Sequence, residues 1–374
     1  MNLITLTPRL AFAVAAVMML STTQATAQRA PRPVSPEIGP NNTVTLRLNA
    51  PNAEQVELTG SASRFVTSTT KADNGLWTIT LSNVEPEVYE YGFNVDGTYM
   101  TDPLNRNLKE ERTLKSLLIV PNNPPQTPDV QDVPHGSIHV HHYNSKTLGG
   151  VDRRFHVYTP AGYENSNETY PVLYLLHGSG DNDSVWASTG RAHVIADNLI
   201  ANQQAKPMII VMPDGHPAYA IANPNDRQRN ANAFSDDVLN EIMPAVNKTY
   251  RIKQGRDNHA VMGLSMGGGQ TLQLALAENT PFAYIGAFSA SVRGGDNPAQ
   301  TYPALNNVAN LNQNVKWFWI GIGSNDFLFD RNNTFTDYLK QNNVTHTYHV
   351  TDDAHNWACW RRYLALTLPM LFQD

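Results

Sequence analysis

Apolar and polar residues alternate along several short segments in the first third of the chain. An alternation with a period of two is typical of β-strands that are buried on one face. The segments with this period are 43–48, 56–58, Leu76–Leu81, 89–95 and 98–100. Asp96-Gly97 separates the last two and tolerates the positive φ angles of a tight turn, so these two should form a hairpin. We therefore predict a small all-β, immunoglobulin-like sandwich over residues 41–120.

The rest of the chain follows another pattern, in which continuous apolar runs alternate with helical periodicity. Val172–Leu176 and 208–212 are typical of strands buried on both faces, whereas Ala192–Ala201 and 234–250 have the periodicity of amphipathic helices. Further strands are predicted at 137–142, 154–158, 259–262, 283–288, 315–322 and 346–350. This alternation predicts an α/β fold over residues 136–374, with a mostly parallel central sheet covered by helices.

Proline-rich segments without periodicity flank the predicted sandwich. Residues 121–135 are predicted to be a linker between the two domains, and residues 28–40 a solvated tether. The apolar run at 10–20 follows Arg9, is too short to span a bilayer, and precedes a small-x-small cleavage pattern ending at Ala27. Residues 1–27 are therefore predicted to be a removed export signal, which implies a secreted or periplasmic protein with no membrane segment in its mature form.

The composition excludes several classes of function. Among the 374 residues, 27 basic residues stand against 33 acidic ones, so the net charge is −6 and no nucleic-acid partner is indicated. Cys359 is the single cysteine, which rules out an internal disulfide, and its apolar neighbours favour a small buried side chain over a catalytic thiol. Asp181 and Asp183 lie in a polar loop, where carboxylates usually face water rather than bind a metal ion.

Gly263-Leu264-Ser265-Met266-Gly267 carries the strongest chemical signal. It follows directly on the predicted strand 259–262 and opens into a helical pattern, which is the context of the nucleophile elbow in α/β-hydrolases. Side chains two residues either side of the serine would collide with the neighbouring strand and helix, so glycine at those positions has a steric reason. Ser265 is therefore the predicted nucleophile.

A serine nucleophile needs an imidazole that takes its proton and a carboxylate that orients the imidazole. His355 lies in the loop after the last predicted strand and is the predicted base, whereas His346 and His349 lie within that strand. Asp326 follows the strand 315–322 at the same sheet edge and is the predicted acid. Less favoured acids remain open: Asp330, Asp352 and Asp353.

The oxyanion of the intermediate needs two backbone N–H donors. Met266, the residue after the nucleophile, should supply one. The second is predicted from Gly178 or Ser179, in the loop after the strand Val172–Leu176. His177 precedes this loop and is predicted to support it rather than to act as a base.

Several of these motifs together resemble family-one carbohydrate esterases, with feruloyl esterases nearest in pattern. They are Leu175-Leu176-His177-Gly178, 196–200, 263–268, and His355 with Trp360. The resemblance covers nearly all of residues 136–374 and implies the same roles for Ser265, Asp326 and His355. The sandwich resembles carbohydrate-binding module family 48. The esterase family also contains acetylxylan esterases, siderophore-ester hydrolases and mycolyltransferases, so the resemblance implies the chemistry better than the substrate.

The expected substrate is a feruloyl ester on plant cell-wall arabinoxylan, cleaved without a metal or other cofactor. An aromatic acyl group needs a flat apolar slot, whose candidate walls are Trp186, Trp357 and Trp360, with core packing as the alternative for each. Four aromatic residues of the sandwich could stack on sugar rings, or belong to its core: Trp77, Tyr89, Tyr91 and Tyr99. Acetyl ester hydrolysis, acyl transfer to a sugar, and non-catalytic glycan binding remain open, and the oligomeric state is not indicated.

Overall fold

The computed structural model describes residues 32–217, 227–295 and 297–373, and every structural statement below refers to these residues. The predicted export signal at 1–27 and the first residues of the predicted tether lie outside them. None of the described helices is long and apolar enough to cross a membrane.

Residues 37–120 form two antiparallel sheets packed face to face. The strands are β1 (Glu37–Ile38), β2 (Val44–Asn49), β3 (Val56–Gly60), β4 (Val66–Lys71), β5 (Leu76–Leu81), β6 (Glu87–Val95), β7 (Thr98–Met100), β8 (Leu108–Lys109) and β9 (Lys115–Val120). One sheet has the order β1-β2-β5-β4 and the other β3-β6-β9-β8, with β7 paired to β6. The predicted all-β sandwich is therefore confirmed.

The period-two segments are strands because alternate side chains enter the space between the two sheets. Trp77, Ile79 and Leu81 of β5 are buried, whereas the residues between them are only half-buried. The predicted hairpin forms between β6 and β7, with positive φ at both Asp96 and Gly97. The tether prediction is wrong at one place, because Glu37–Ile38 pairs with the edge of β2 instead of remaining free of the sandwich.

The second domain is built on an eight-stranded sheet. Its strands are β10 (Ser137–Ser145), β11 (Val151–Thr159), β12 (Val172–Leu176), β13 (Ile209–Pro213), β14 (His259–Leu264), β15 (Tyr284–Phe288), β16 (Trp317–Gly323) and β17 (Thr347–Thr351). The order is β10-β11-β13-β12-β14-β15-β16-β17. β10 and β11 pair antiparallel at one end, and all pairs from β13 to β17 are parallel, so the predicted mostly parallel sheet is confirmed.

Helices cover both faces of this sheet. They are α1 (Val185–Ser188), α2 (Ala192–Ala201), α3 (Arg227–Asp237), α4 (Met243–Thr249), α5 (Met266–Ala275), α6 (Val308–Asn314), α7 (Phe329–Gln341) and α8 (Trp357–Thr367), with a π-helical turn at Val238–Ile242 between α3 and α4. Leu173 and Leu175 of β12 pack with α1, α2 and α8, whereas Val172, Tyr174 and Leu176 face the core that includes α3 to α7. Burial on both faces explains why the central strands are apolar without alternation.

The predicted linker 121–135 is held against helix α2. The Asn198 side-chain amide donates to the carbonyl oxygens of Thr127 and Asp129 at 2.7 and 2.8 Å. Arg191 Nε donates to the carbonyl of Pro128 at 2.7 Å. A proline-rich segment has few N–H donors of its own, so its exposed carbonyls are natural acceptors for such side chains. These bonds fix the path of the chain between the two domains.

Candidate active site

Ser265 lies on a sharp turn between β14 and α5. Its backbone has φ 54° and ψ −113°, a conformation that L-residues rarely adopt. A Cβ on Gly267 would lie 2.5 Å from the carbonyl oxygen of His177, and one on Gly263 would lie 2.6 Å from the carbonyl oxygen of Gly267. Both glycines are therefore required by close backbone contacts, and the strained turn directs the Ser265 hydroxyl out of the sheet edge.

The structure brings Ser265, His355 and Asp326 together from three separate loops. His355 Nε2 lies 3.0 Å from the Ser265 Oγ, and His355 Nδ1 lies 2.8 Å from Asp326 Oδ2. In the tautomer that satisfies both contacts, Nδ1–H donates to the carboxylate and Nε2 accepts from the hydroxyl. The imidazole is thus placed to remove the serine proton.

The Asp326 carboxylate is buried and has further donors besides His355. Burial by itself raises its pKa, but hydrogen bonds from His355, from the Leu328 backbone N–H at 2.8 Å and from the Ser289 hydroxyl outweigh this and lower the pKa below its usual value. Trp360 Nε1 in turn donates to Ser289 Oγ at 3.1 Å. The carboxylate is therefore ionised at neutral pH and fixed in orientation.

The loop after β12 lies beside the nucleophile. A Cβ built on Gly178 would come within 3.6 Å of the Ser265 Cβ and 2.7 Å of a Leu264 methyl group, so the chain passes close to the serine because residue 178 has no side chain. Met266 is the first residue of α5, and the N–H of a first helical residue has no partner within the helix. The oxyanion donors themselves stay a prediction, which the closeness of residue 178 to Ser265 supports.

His177 holds this loop and does not reach the serine. Its Nδ1–H donates to the Gly178 carbonyl oxygen at 2.8 Å, and its Nε2 accepts from the Gly215 N–H at 2.8 Å. Both ring nitrogens are occupied by backbone groups, as the predicted supporting role requires. Gly180, two residues further along, donates its N–H to His216 Nε2 at 3.0 Å.

A cavity of about 430 Å³ opens over Ser265 and His355. Trp357 and Trp360 line it, as predicted for an aromatic slot. Trp186 does not, and this prediction is wrong: its side chain is 1% exposed and its Nε1 donates to the Leu176 carbonyl. The indole of Trp186 packs edge-on against Trp357, with the ring centres 5.1 Å apart, so it supports the wall from behind.

The sandwich supplies the opposite side of the same cavity, which the sequence did not indicate. Its lining residues there include Arg64, Tyr89, Glu90, Lys109 and Glu111. Trp77, Tyr89 and Tyr91, all considered for sugar stacking, belong to the buried core of the sandwich, and Tyr99 is exposed at 40%. Of the four aromatic residues, Tyr89 alone is among those that line the cavity over the serine.

Lys109 joins the sandwich to the loop that follows β12. This side chain is buried, and its Nζ lies 2.7 Å from Glu90, 2.9 Å from Glu111 and 3.0 Å from Asp181. Burial opposes the charged form of Lys109, but the three carboxylates outweigh it and raise its pKa. Asp181 therefore does not face water as expected. The other polar-loop carboxylate, Asp183, is also buried and accepts from Arg154 and His156.

Phe327 is a further residue that the sequence analysis missed. It directly follows Asp326, is 77% exposed, and its ring centre lies 4.4 Å from that of His355. An aromatic residue exposed next to the predicted acid was the available signal. The ring packs at a tilt against the imidazole, although Phe327 is not among the residues that line the cavity over Ser265.

The less favoured candidates take no part in the hydrogen-bonded chain from Ser265 through His355 to Asp326. Asp353 accepts from Thr351 and pairs with Arg362, Asp330 belongs to the first turn of α7, and His349 stacks on Trp319. Cys359 is fully buried, and burial raises its thiol pKa to about 11, so it carries no thiolate at neutral pH. Within the described part of the chain, no cluster of three potential metal-ligating side chains occurs.

This geometry, a serine on a strand-to-helix elbow with histidine and aspartate at the same edge of a mostly parallel sheet, defines the α/β-hydrolase class. The putative esterase family matches residues 145–371, more than half of the chain, and the chain belongs to that family. Residues 33–111 match carbohydrate-binding module 48, described as the isoamylase N-terminal domain. The resemblance deduced from the sequence motifs is confirmed.

Two curated relatives illustrate the range of similarity. The chain is 29% identical over 350 residues to an endo-1,4-beta-xylanase/feruloyl esterase of Xylanibacter ruminicola, covering 90% of this chain and 46% of that protein. It thus spans about half the length of that relative. It is 23% identical over 229 residues to an acetyl esterase of Caldicellulosiruptor saccharolyticus, covering 53% of this chain and 82% of that protein.

Solved structures extend the comparison. A ferulic acid esterase is 26% identical with a TM-score of 0.54, covering 63% of this chain and 97% of its own. A ferulic acid esterase of Anaeromyces mucronatus in complex with ferulic acid is 25% identical with a TM-score of 0.55, covering 65% and 93%. The enterobactin esterase of Shigella flexneri shares the fold over 88% of this chain and 93% of its own, at 18% identity and a TM-score of 0.59.

Proposed function

We propose that the protein is a serine esterase that hydrolyses feruloyl esters on plant cell-wall arabinoxylan, with Ser265 as nucleophile, His355 as general base and acid, and Asp326 as the orienting carboxylate. The observation that carries this proposal is the continuous hydrogen-bonded chain from Ser265 Oγ through His355 to Asp326, with contacts of 3.0 and 2.8 Å. The feruloyl preference is supported by the names of the relatives and of the solved structures.

The mechanism follows from the positions of these groups. His355 Nε2 takes the proton of the Ser265 hydroxyl as its oxygen attacks the ester carbonyl, and the tetrahedral intermediate forms. The protonated imidazole then donates that proton to the departing sugar hydroxyl, which leaves an acyl group on Ser265. Water enters, gives its proton to His355, and releases the acid by the same steps in reverse order. Asp326 stabilises the imidazolium in both halves of the reaction.

The developing negative charge is stabilised by backbone donors in this proposal. The N–H of Met266 and that of Gly178 or Ser179 are the assigned donors. The bonds from His177 to Gly178 and Gly215 hold the loop in a fixed shape, so little reorganisation accompanies the reaction. Loss of one such donor typically raises the barrier by about 3 to 4 kcal/mol.

Trp357 and Trp360 are the proposed walls of the acyl pocket. Both line the cavity, and the Trp360 ring stands perpendicular to the His355 ring with the centres 4.9 Å apart. An aromatic acyl group held between such faces gains both apolar burial and ring contacts. An acetyl group would leave this space unfilled. The similarity to an acetyl esterase nevertheless makes acetyl esters the second candidate substrate.

The test compares turnover of methyl ferulate with turnover of 4-nitrophenyl acetate and of acetylated xylan. We expect kcat/KM to be highest for methyl ferulate, and Ser265→Ala to reduce kcat at least about 10⁴-fold with the fold intact. Ser291→Ala is the matched control: the Ser291 backbone N–H donates to the Ser265 carbonyl oxygen, which the substitution preserves, and no hydrogen bond of its hydroxyl occurs among the described residues. Activity confined to acetyl substrates would favour the second candidate, and unchanged hydrolysis by Ser265→Ala would refute the assignment of the nucleophile.

Export and polysaccharide binding are parts of the same proposal. The sandwich matches a carbohydrate-binding module, and a secreted enzyme would meet polymeric substrate. We expect the mature protein to begin near Gln28, which N-terminal sequencing of protein expressed with residues 1–27 present would test. Binding to insoluble arabinoxylan should persist in Ser265→Ala. If all of the protein stayed in the supernatant of a pull-down with insoluble arabinoxylan, a binding role for the sandwich would be contradicted.

A further inference from the structure

A second cleft, also of about 430 Å³, lies next to the cavity over Ser265. It is bounded by strands β6 and β9 of the sandwich, the linker segment at 126–129, residue Arg191, and helix α8. Four residues line both spaces: Glu87, Val88, Ala358 and Arg361. The ion pair between Glu87 and Arg361 therefore stands at the boundary between the two. The mechanism described above uses no residue of this second cleft.

Arg191 is the unusual group in this cleft. The residue is 9% exposed, and its Nε donates to the Pro128 carbonyl oxygen at 2.7 Å. Its two terminal nitrogens have no hydrogen-bond or ion-pair partner among the residues that the structure describes, although the residue lines the cleft. Burial lowers the pKa of Arg191 and Arg361 adds to this, while Asp129 opposes it, but a guanidinium remains charged at neutral pH. The terminal nitrogens of a largely buried guanidinium are thus left without a partner among the described residues, in a residue that lines the cleft.

The other charged groups of the cleft already have partners. Arg361 donates to Glu87 and to the Thr189 carbonyl oxygen, and Arg362 pairs with Asp353 outside the cleft. Asp129 Oδ2 accepts from the Asn122 side chain and backbone and from the Gln126 backbone. The Asp129 and Glu87 carboxylates would repel a dianion, so the free donors of Arg191 match a ligand with one negative charge.

The remaining walls are apolar. Val88 and Ile119 of the sandwich and Leu366 of α8 line the cleft, and Leu366 is half-exposed at its rim. A buried guanidinium beside apolar walls suits a planar carboxylate, which accepts two parallel hydrogen bonds, attached to a body with an apolar face. A phosphate monoester fits less well because it carries nearly two charges at neutral pH.

We propose that this cleft is a binding site for a monoanionic organic carboxylate, held by the terminal nitrogens of Arg191 with its apolar face on Val88, Ile119 and Leu366. Two sources offer this chemistry: a uronate group on an acidic xylo-oligosaccharide, and a free aromatic acid. Arg191, Ile119 and Leu366 do not line the cavity over Ser265, whereas Val88 lines both spaces, and binding in the cleft does not depend on the proposed esterase activity.

The test measures binding by calorimetry with two matched pairs of probes. One pair is xylotriose carrying a single glucuronate and neutral xylotetraose, and the other is cinnamate and cinnamyl alcohol. In the wild-type protein we expect at least one carboxylate to bind about tenfold more tightly than its neutral counterpart, and the pair that shows the difference identifies the source. Binding needs no turnover, so an absence of esterase activity would leave this result unaffected.

Three variants locate the site. Arg191→Gln should reduce the carboxylate preference to less than about threefold, because the charge-assisted bonds are lost. Leu366→Asp should weaken carboxylate binding similarly, because its charge repels the ligand. Leu366 is 50% exposed, so this variant should fold, and it keeps the test informative if Arg191→Gln does not. Arg64→Gln, which removes an exposed guanidinium from the cavity over Ser265, should leave the preference within about twofold.

Three results would overturn the proposal. They are equal binding of both members of each pair by the wild-type protein, a preference that survives in folded Arg191→Gln or in Leu366→Asp, and a preference that disappears in Arg64→Gln alone. The last result would place the carboxylate in the cavity over Ser265. Thermal unfolding midpoints of all variants show which of them are folded.

Discussion

At the scale of single residues, the candidate site depends on how one carboxylate is held. Asp326 accepts hydrogen bonds from an imidazole, a backbone N–H and the Ser289 hydroxyl, and Trp360 donates to that hydroxyl in turn. Each donor favours the ionised form and restricts the rotation of the carboxylate. Ser289 is therefore a positioning residue: it acts on His355 through Asp326 and does not touch the substrate cavity.

Ser289→Ala should lower kcat for methyl ferulate about 5- to 50-fold with little change in KM, because the carboxylate loses a donor while the cavity keeps its lining. The free energy of unfolding should fall by about 1 to 3 kcal/mol, since the buried Trp360 N–H loses its acceptor. Steady-state kinetics and urea unfolding measure the two effects. Ser291→Ala should change neither, and a rise in KM without loss of kcat would contradict the positioning role.

Gly267→Ala tests the steric reason for the elbow. A Cβ there would lie 2.5 Å from the His177 carbonyl oxygen and 2.7 Å from that of Leu176, and backbone atoms cannot move aside cheaply. We expect the free energy of unfolding to fall by more than about 2 kcal/mol, measured by chemical unfolding. The control is Gly39→Ala, because this residue has negative φ and its nearest neighbour would be 3.5 Å away. Similar stabilities of the two variants would argue against a strained elbow.

At the scale of secondary-structure elements, strand β8 and helix α8 connect the sandwich to the candidate site. Lys109 of β8 holds Asp181 next to the Gly178 loop, and α8 begins two residues after His355, where the Asn356 side chain accepts from the Cys359 N–H. The α8 residues Trp357 and Trp360 face the cavity, while Arg361 is paired with Glu87 of β6. A displacement of the sandwich would therefore be transmitted to both sides of the cavity.

Lys109→Met should destabilise the protein by about 3 to 5 kcal/mol at pH 8, because a buried cation is removed from three carboxylates. Burial raises the pKa of Glu90, but Lys109 and Lys115 outweigh burial, and the net pKa is lowered. Ionised Glu90 therefore stabilises the fold at pH values above its unfolded pKa of about 4.3. This contribution is lost as the pH falls below that value. The difference between wild type and variant should therefore shrink at pH 3.5.

Urea unfolding of wild type and Lys109→Met at the two pH values gives this comparison. Lys71→Met is the control, since Lys71 Nζ donates to the Ala53 carbonyl and no ion pair of this side chain occurs among the described residues. Its effect on stability should be small and nearly the same at both pH values. If Lys109→Met lowered the free energy of unfolding equally at both pH values, Lys109 would not stabilise the ionised form of its carboxylate partners.

At the scale of the whole molecule, the sandwich and the α/β domain share buried charges and one cavity. Lys109 pairs with Asp181, Glu87 pairs with Arg361, and Arg154 Nη2 lies 2.8 Å from Glu110. Arg361 is 3% exposed, so separating the two domains would leave its charge without the Glu87 partner. Such contacts couple the unfolding of one domain to that of the other.

We therefore expect a single calorimetric unfolding transition for the wild-type protein. The double variant Glu87→Gln with Lys109→Met should separate it into two, because both buried inter-domain ion pairs are then broken. Differential scanning calorimetry distinguishes the outcomes. Two resolved transitions in the wild-type protein would show that the domains unfold independently and would contradict the coupling.

Features that depend on local pattern could be predicted from the order of residues alone. Strand alternation predicted the sandwich, apolar runs predicted the parallel sheet, and the glycines around Ser265 predicted the elbow, because each reflects the conformation of a short stretch of chain. Asp326 and His355 were also accessible from sequence, since both follow strands whose carboxyl ends share one edge. These three residues meet in the structure as their order along the chain suggested.

Features that depend on how distant segments pack became visible in the folded molecule and not before. Trp186 and Trp357 each follow a predicted site loop within a few residues along the sequence. In the structure, Trp357 lines the cavity and Trp186 is enclosed behind it. Lys109 is about 70 residues before Asp181, and no local pattern of either reveals the ion pair. The same holds for the unsatisfied nitrogens of Arg191. The reason is physical: burial and pairing of a side chain are set by the surfaces that come together when distant segments and the two domains pack, and the periodicity of the sequence does not encode that arrangement.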